Sequence, residues 1–265
     1  MEAKQKEKAA DFRALHEGEP FVIPNPWDAG SARVLATLGF KALATTSSGF
    51  AFTLGRQDGE VTLEELAGHV KAVAEATSLP VSVDLENGFG PDPGDAAKAI
   101  ARAAEAGAVG GSIEDYDHRG GVYEFDHAVE RVAAACEAAA RLDFPFTLTA
   151  RAENHIRGNP DLDDTISRLR AYEGVGADVL YAPGLGDVDQ IRAVCEATSK
   201  PVNVLAFPGL SMGAIAAAGA RRISVGGSLA WVAVDALAAA AELIRDDGDF
   251  SGLAVSRRIG DLLDG

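Results

Sequence analysis

The residues best suited to chemistry stand at the ends of short β-branched runs. In Val81-Ser82-Val83-Asp84-Leu85-Glu86 apolar and polar residues alternate. An extended segment therefore turns Val81, Val83 and Leu85 to one face and Ser82, Asp84 and Glu86 to the other. Ser112-Ile113-Glu114 repeats the phase and delivers Glu114, Thr147-Leu148-Thr149-Ala150-Arg151 delivers an arginine, and Pro201-Val202-Asn203 delivers an amide. If these ends converge, Asp84, Glu86 and Glu114 share one small volume. Buried carboxylates must be paired, protonated or metal-bound. All-oxygen donors without a neighbouring His or Cys point to Mg²⁺, with Mn²⁺ as a substitute, and such an ion keeps water positions that a substrate can take over. The plainer alternative is that the acids bond only to arginine and backbone amides.

The elements that must position these residues are legible from punctuation and period. Between Gly and Pro breaks, strands are predicted over 21–23, 42–46, 81–86, 111–115, 146–152, 179–182, 202–206 and 222–225. Helices are predicted over 29–38, 63–77, 93–106, 126–141, 162–174, 188–198, 211–218 and 228–244. Gly39, Gly107, Gly176 and Gly219 each follow a helix and are placed to take a left-handed C-cap. Eight βα units without a linker predict one α/β domain over 1–265, a (β/α)₈ TIM barrel, with residues 1–18 as a solvated helical lead-in. An open doubly wound sheet would show a glycine-rich turn after its first strand, and Asn25-Pro26-Trp27-Asp28 is not one. In a barrel, chemistry belongs at the C-terminal strand ends, where the acids fall.

Composition removes other classes. The 265 residues are 47% hydrophobic, and 24 Lys and Arg against 40 Asp and Glu give a formal net charge of −16. A chain this acidic repels nucleic acid and anionic membrane. The longest apolar runs, such as Leu229 to Leu243, carry Asp235 and none reaches the roughly 20 residues of a membrane span, and the charged N-terminus is unlike a secretory signal, so a cytoplasmic protein is expected. Cys136 and Cys195 have apolar helical neighbours and read as core. The seven lysines, Lys4, Lys6, Lys8, Lys41, Lys71, Lys98 and Lys200, fall in the N-terminal arm, on helices or at strand beginnings. That placement excludes a Schiff-base aldolase and disfavours pyridoxal phosphate.

Taken together, Thr46-Ser47-Ser48-Gly49, Leu54-Gly55-Arg56-Gln57-Asp58, Val83 to Gly90, Ser112-Ile113-Glu114-Asp115, Thr149-Ala150-Arg151 and Pro201-Val202-Asn203 resemble the isocitrate lyase and phosphoenolpyruvate mutase superfamily. Its members are Mg²⁺-dependent barrels acting on 2-oxo acids or their enol forms. The resemblance spans most of the chain. It implies that Asp84, Glu86 and Glu114 hold Mg²⁺, partly through water, with Asp58 beside them. It also implies that Thr46, Ser47, Ser48 and Gly49 bind the substrate carboxylate and oxyanion, that Arg151 pairs with the carboxylate, and that Asn203 lines the pocket.

Two departures stand out. Glu86 replaces the family's usual Asp, which lengthens the arm by one methylene. The Lys-Arg/Lys-Cys-Gly-His loop of the carbon–carbon lyases is replaced by Tyr116-Asp117-His118-Arg119-Gly120-Gly121-Val122-Tyr123. The Lys and Asn that mutases and hydrolases carry there are missing too. His118 is the loop's near-neutral titrating group and is the candidate proton donor. The implied activity is making or breaking a C–C or P–C bond through the enolate of an oxaloacetate-, pyruvate- or phosphoenolpyruvate-like acid. Two alternatives remain. One is a phosphate-binding barrel using Phe207-Pro208-Gly209 and Gly226-Gly227-Ser228. The other is a non-catalytic oxo-acid-binding homologue. The last predicted helix is apolar on more than one side, and it is expected to pack on a neighbouring subunit in a homo-oligomer, a tetramer by resemblance.

Overall fold

A computed structural model describes residues 2–255, 258 and 260–263. Its strands are β1 (Phe21–Ile23), β2 (Leu43–Ala44), β3 (Val81–Asp84), β4 (Gly110–Glu114), β5 (Tyr116–Asp117), β6 (Gly121–Val122), β7 (Thr147–Arg151), β8 (Val179–Tyr181), β9 (Val202–Leu205) and β10 (Arg222–Ser224). Eight of them pair in parallel in the order β1-β10-β9-β8-β7-β4-β3-β2, and β5 and β6 form a separate hairpin. The seam between β1 and β2 is closed by one backbone bond, from the Ala44 N–H to the Pro24 carbonyl at 3.1 Å. Above it Asn25 does the work of a missing ladder. Its amide donates to the Thr45 carbonyl at 3.1 Å, and its Oδ1 accepts from the Val225 N–H at 2.9 Å. Pro24 and Pro26 have no N–H to offer there. The result is the predicted (β/α)₈ barrel.

The helices are α1 (Glu2–Glu17), α2 (Ala29–Thr37), α3 (Ser47–Thr53), α4 (Leu63–Ala76), α5 (Pro93–Glu105), α6 (Phe125–Ala140), α7 (Leu162–Gly174), α8 (Val188–Ala197), α9 (Met212–Ala217) and α10 (Ser228–Asp247). All eight predicted helices are present within a few residues. The four C-cap glycines have φ between 88° and 109°, the left-handed region that a Cβ disfavours. Val83, Leu85, Ile113 and Leu148 point outward and pack against the small face of α5, Ala96, Ala99, Ile100 and Ala103. That leaves Ser82, Asp84 and Ser112 inside, as the alternation requires. Cys136 and Cys195 are free, half-buried and packed against the second core cluster, and burial pushes their thiols up to about 12 and about 11.

Three features differ from the sequence expectation. The short helix α3 and the hairpin β5–β6 were not predicted; the hairpin occupies the loop that carries His118. The larger correction concerns α1, which is not a solvated lead-in. Ala9 and Phe12 are fully buried and His16 nearly so, plugging the N-terminal mouth of the barrel against Phe21, Ile23 and Val109. The Phe12 ring fits because Gly110 has no side chain: a Cβ there would lie 2.7 Å from it. Gln5 donates to the Ala104 and Ala108 carbonyls, and Lys8 to that of Thr77, so α1 satisfies carbonyls left over at the ends of α5 and α4. His16 Nδ1 lies 2.8 Å from the Phe12 carbonyl, which can only accept, so the proton sits on Nδ1 and Nε2 faces Arg222 as an acceptor.

The last helix α10 is the least covered. Of its residues only Ala230 is buried, while Trp231, Val232, Leu237 and Leu243 are exposed. Among the described residues no helix is long and apolar enough to cross a membrane.

Candidate active site

A cavity of about 250 Å³ opens at the C-terminal end of the barrel. It is lined by residues from nearly every strand end, including Thr46, Ser47, Ser48, Asp58, Asp84, Arg151 and Asn203. Its size suits a small metabolite.

Arg151, at the end of β7, is the hub. Its Nη1 donates to Asp84 Oδ1 at 2.8 Å, and its Nη2 lies 2.9 Å from Glu114 Oε2 and 2.8 Å from Glu153 Oε1. One guanidinium thus serves three acids, an arrangement that its planar fork permits and a lysine would not reproduce. Glu153 is fully buried and was missed by sequence reasoning, as was Arg157, which pairs with Glu153 at 3.2 Å and stacks over the Tyr116 ring. Both lie in the irregular segment after β7, where no alternation marks them. Asp115, next to Glu114, faces away from the cavity and is held by Arg168 and Tyr172 at 3.1 and 2.6 Å.

Asp84 also accepts long bonds from the Ser47 and Glu86 amides, at 3.4 and 3.3 Å. Glu86 has φ 49°, a left-handed conformation that costs a residue with a Cβ roughly 1–2 kcal/mol. The surrounding turn imposes it: the Glu86 carbonyl accepts from the Glu114 N–H, and the buried Arg131 donates to the Asn87 and Asp92 carbonyls just beyond. Burial first, then the charges of Asp84 and Asp58, push the Glu86 carboxyl up to about 8. Asp58 sits on an exposed turn but its carboxyl reaches into the cavity, where burial away from water and then the Asp84 charge raise its pKa against a hydrogen bond from Ser47. Glu114 is pushed well above the usual range by burial, against the pull of Arg151.

Asp58, Asp84 and Glu86 therefore repel one another without enough positive charge among them. Among the described residues no three acids, histidines or cysteines already stand in coordinating positions. The physical reason is Arg151, which lies between Asp84 and Glu114 and pairs with both. The donor chemistry fits a hard divalent cation, since all three mutually repelling groups are carboxylates and a cation among them would relieve the repulsion.

The remaining predicted residues fall as follows. Thr46 caps α3 by accepting from the Gly49 N–H, so that amide is used internally. Gly49 itself is required, because a Cβ would lie 2.6 Å from Thr46 and 2.9 Å from Trp27. Asn203 is buried, with Nδ2 donating to Ser224 at 2.9 Å and Oδ1 accepting from Arg222 at 2.8 Å. His118 touches Glu86, with Nε2 3.5 Å from Oε2, and packs on Gly59, but it lines a neighbouring groove rather than the central cavity. Gly227, offered as part of a phosphate cradle, instead admits Ser48 and Trp231, which a Cβ would meet at 2.8 and 2.6 Å.

Residues 12–245 match the family model for phosphoenolpyruvate phosphomutase. A 2-methylisocitrate lyase of Halalkalibacterium halodurans is 30% identical over 253 residues, covering 92% of this chain and 84% of the relative. Among solved structures, a Burkholderia cenocepacia J2315 protein provisionally described as a lyase or mutase is 51% identical, with TM-score 0.94 over 98% of this chain and 95% of the other. Oxaloacetate acetylhydrolase in complex with its product oxalate is 25% identical, with TM-score 0.87 over 97% and 93%. The chain therefore belongs to the phosphoenolpyruvate phosphomutase family and is an enzyme of the isocitrate lyase and phosphoenolpyruvate mutase superfamily that its motifs resemble.

Proposed function

We propose that this enzyme makes or breaks a C–C or P–C bond through the enolate of a small 2-oxo acid, with a divalent cation, Mg²⁺ or Mn²⁺, in the acid cluster. The observation that carries this reading is a set of crowded carboxylates at the strand ends: Asp58 and Asp84 line the cavity beside Arg151, Glu86 stands on the adjoining groove within reach of both their charges, and Glu114 is buried against Arg151. Asp84 and Glu86 would hold the ion, with Asp58 beside them and Glu114 reaching it through water while Arg151 and Arg157 steady its carboxylate. When bound, the ion supplies Lewis-acid polarisation of the 2-oxo group. Arg151 binds the substrate carboxylate in exchange for one of its present acid partners, because its fork is already shaped for that contact. Ser47 and Ser48 orient the oxygen atoms at the mouth of α3. Asn203, its amide fixed from both ends, lines the far wall.

His118 is the proton donor of this reading. It sits on the β5–β6 hairpin beside Glu86, and closing that hairpin over the cavity would carry the imidazole toward the reacting carbon. The exposed apolar face of α10 is covered by a second copy of the chain, giving a homo-oligomer, a tetramer by resemblance. Light scattering that returned a 27.4 kDa monomer would contradict this.

The test is turnover of oxaloacetate and of substituted malates, followed by release of pyruvate, oxalate or a free carbonyl product, with Mg²⁺ and with EDTA. Activity restored by Mg²⁺ and lost in Glu114→Gln supports the reading. Activity indifferent to EDTA contradicts it. Metal-dependent binding without turnover of any of these acids contradicts the assigned substrate class.

A further inference from the structure

The cavity holds a cation of a different kind from Arg151. Arg222, the first residue of β10, lines the cavity at its floor and is only 5% exposed. Its partners are all neutral. Nε donates to Asn203 Oδ1 at 2.8 Å, Nη2 to Thr149 Oγ1 at 2.9 Å, and Nη1 faces His16 Nε2 at 3.3 Å. Among the described residues no carboxylate pairs with it. Burial lowers its pKa to about 10, and the one group that opposes this is the Tyr181 phenol.

Burying a guanidinium without a counter-charge is costly, and the contacts it makes do not need a charge. Neutral donors would hold Asn203 and Thr149 as well. A guanidinium has five N–H donors, and three are used here, which leaves one on each terminal nitrogen. Those are the nitrogens that grip a carboxylate in the two-pronged mode. Around them stand Asn203, Ser224 and Tyr181, all buried and without formal charge. The barrel interior is thus polarised. The arc of β3 and β4 carries Asp84 and Glu114, and the arc of β8, β9 and β10 carries an uncancelled positive charge at its base.

We propose that Arg222 is the base of an anion subsite that takes an acid group of the substrate other than the one paired with Arg151. This rests on the reading that the cavity binds a 2-oxo acid, and it narrows the substrate to one with a second, distal carboxylate or equivalent oxyacid. The polarity orients such a molecule, since its oxo end faces the acid arc and its distal acid faces Arg222. His16, from α1, holds the guanidinium from below, so the N-terminal helix contributes to substrate selection as well as to the core.

The experiment is calorimetric titration, in Mg²⁺, with oxalate, malate and 2-hydroxybutanoate. The last two differ only in a carboxylate against a methyl group at the distal end. The expected result is that malate binds at least about 30-fold more tightly than 2-hydroxybutanoate, the factor that bonds to a charged group supply. Arg222→Gln should bring the two within about 3-fold while leaving oxalate within about 2-fold of the unaltered protein, and Arg222→Lys should keep part of the preference. Equal binding of malate and 2-hydroxybutanoate by the unaltered protein overturns the subsite, whatever the variants do. A loss in Arg222→Gln that falls equally on oxalate also overturns it, because Arg222 would then serve only to support Asn203. Absence of oxalate binding to the unaltered protein is a separate failure, that of the oxo-acid reading itself.

Discussion

The two ends of the barrel interior are built on opposite terms. At the N-terminal mouth polar side chains serve the packing: Gln5 and Lys8 cap helix ends, His16 bridges the Phe12 carbonyl to Arg222, and Phe12 fills the space left by Gly110. At the C-terminal mouth Asp58, Asp84 and Glu86 crowd one another, Glu86 is held at positive φ, and Arg151 is divided among three acids. One end is arranged for stability and the other is held in place by it. Crowded charge and backbone strain in a cavity mark a site where stability has been given up for ligand binding.

The contrast can be broken most forcefully at Arg151. Arg151→Met leaves Asp84, Glu114 and Glu153 without their shared cation. It should cost about 3–5 kcal/mol in chemical denaturation, as breaking a buried ion pair does, and remove measurable turnover. At the other end, Phe12→Ala should cost about 3–4 kcal/mol through the cavity it opens in the plug, yet leave kcat and KM near their original values below the melting transition. If Phe12→Ala also removed measurable turnover, as Arg151→Met does, the division between the two ends would fail.

A gentler probe is pH. Burial, and then the Arg222 charge, hold His16 down to about 3, whereas an unfolded histidine titrates near 6.5. Between those values the unfolded chain binds the extra proton, so stability is full above about pH 6.5 and falls as pH drops toward 3. His69, stacked on Phe50 and lowered to about 4 by burial, adds in the same sense. Glu86, raised to about 8, acts in the opposite sense over the same range, so the His16 contribution is read as the difference in melting temperature between the unaltered protein and His16→Gln, which should shrink as pH falls from 7 to 5. The smallest effect expected is a gain. Glu86→Asn, whose side chain tolerates the left-handed region, should raise stability by up to about 1 kcal/mol while lowering activity. Loss of both would mean that Glu86 supports the turn rather than being strained by it.

How far the sequence is legible follows the same division. Strand alternation placed Ser82, Asp84, Glu114 and Arg151 inside the barrel, because one residue of slip would have buried charge against the helices. The alternation of eight strand runs with eight helical runs, four of the helices closed by a glycine C-cap, gave the count of βα units. Glu153 and Arg157 could not be seen this way, since they follow the strand on an irregular turn whose path depends on tertiary contacts. Arg222 was hidden in Arg221-Arg222, which reads as the solvated start of a strand until the register assigns one arginine to the interior. Phe12 and His16 are spaced one helical turn apart among charges, too few apolar positions to declare a buried face. Asp58 was found by resemblance alone, for nothing in an exposed turn says that its carboxyl reaches the acid cluster.

A divalent cation joining the carboxylates to an oxo acid is the centre of the proposed chemistry, and oxalate titration with and without Mg²⁺ tests it most directly. The predicted result is binding with Mg²⁺ that is lost in EDTA and lost again in Asp84→Asn. Oxalate binding of equal strength in Mg²⁺ and EDTA, or none in either, would contradict it.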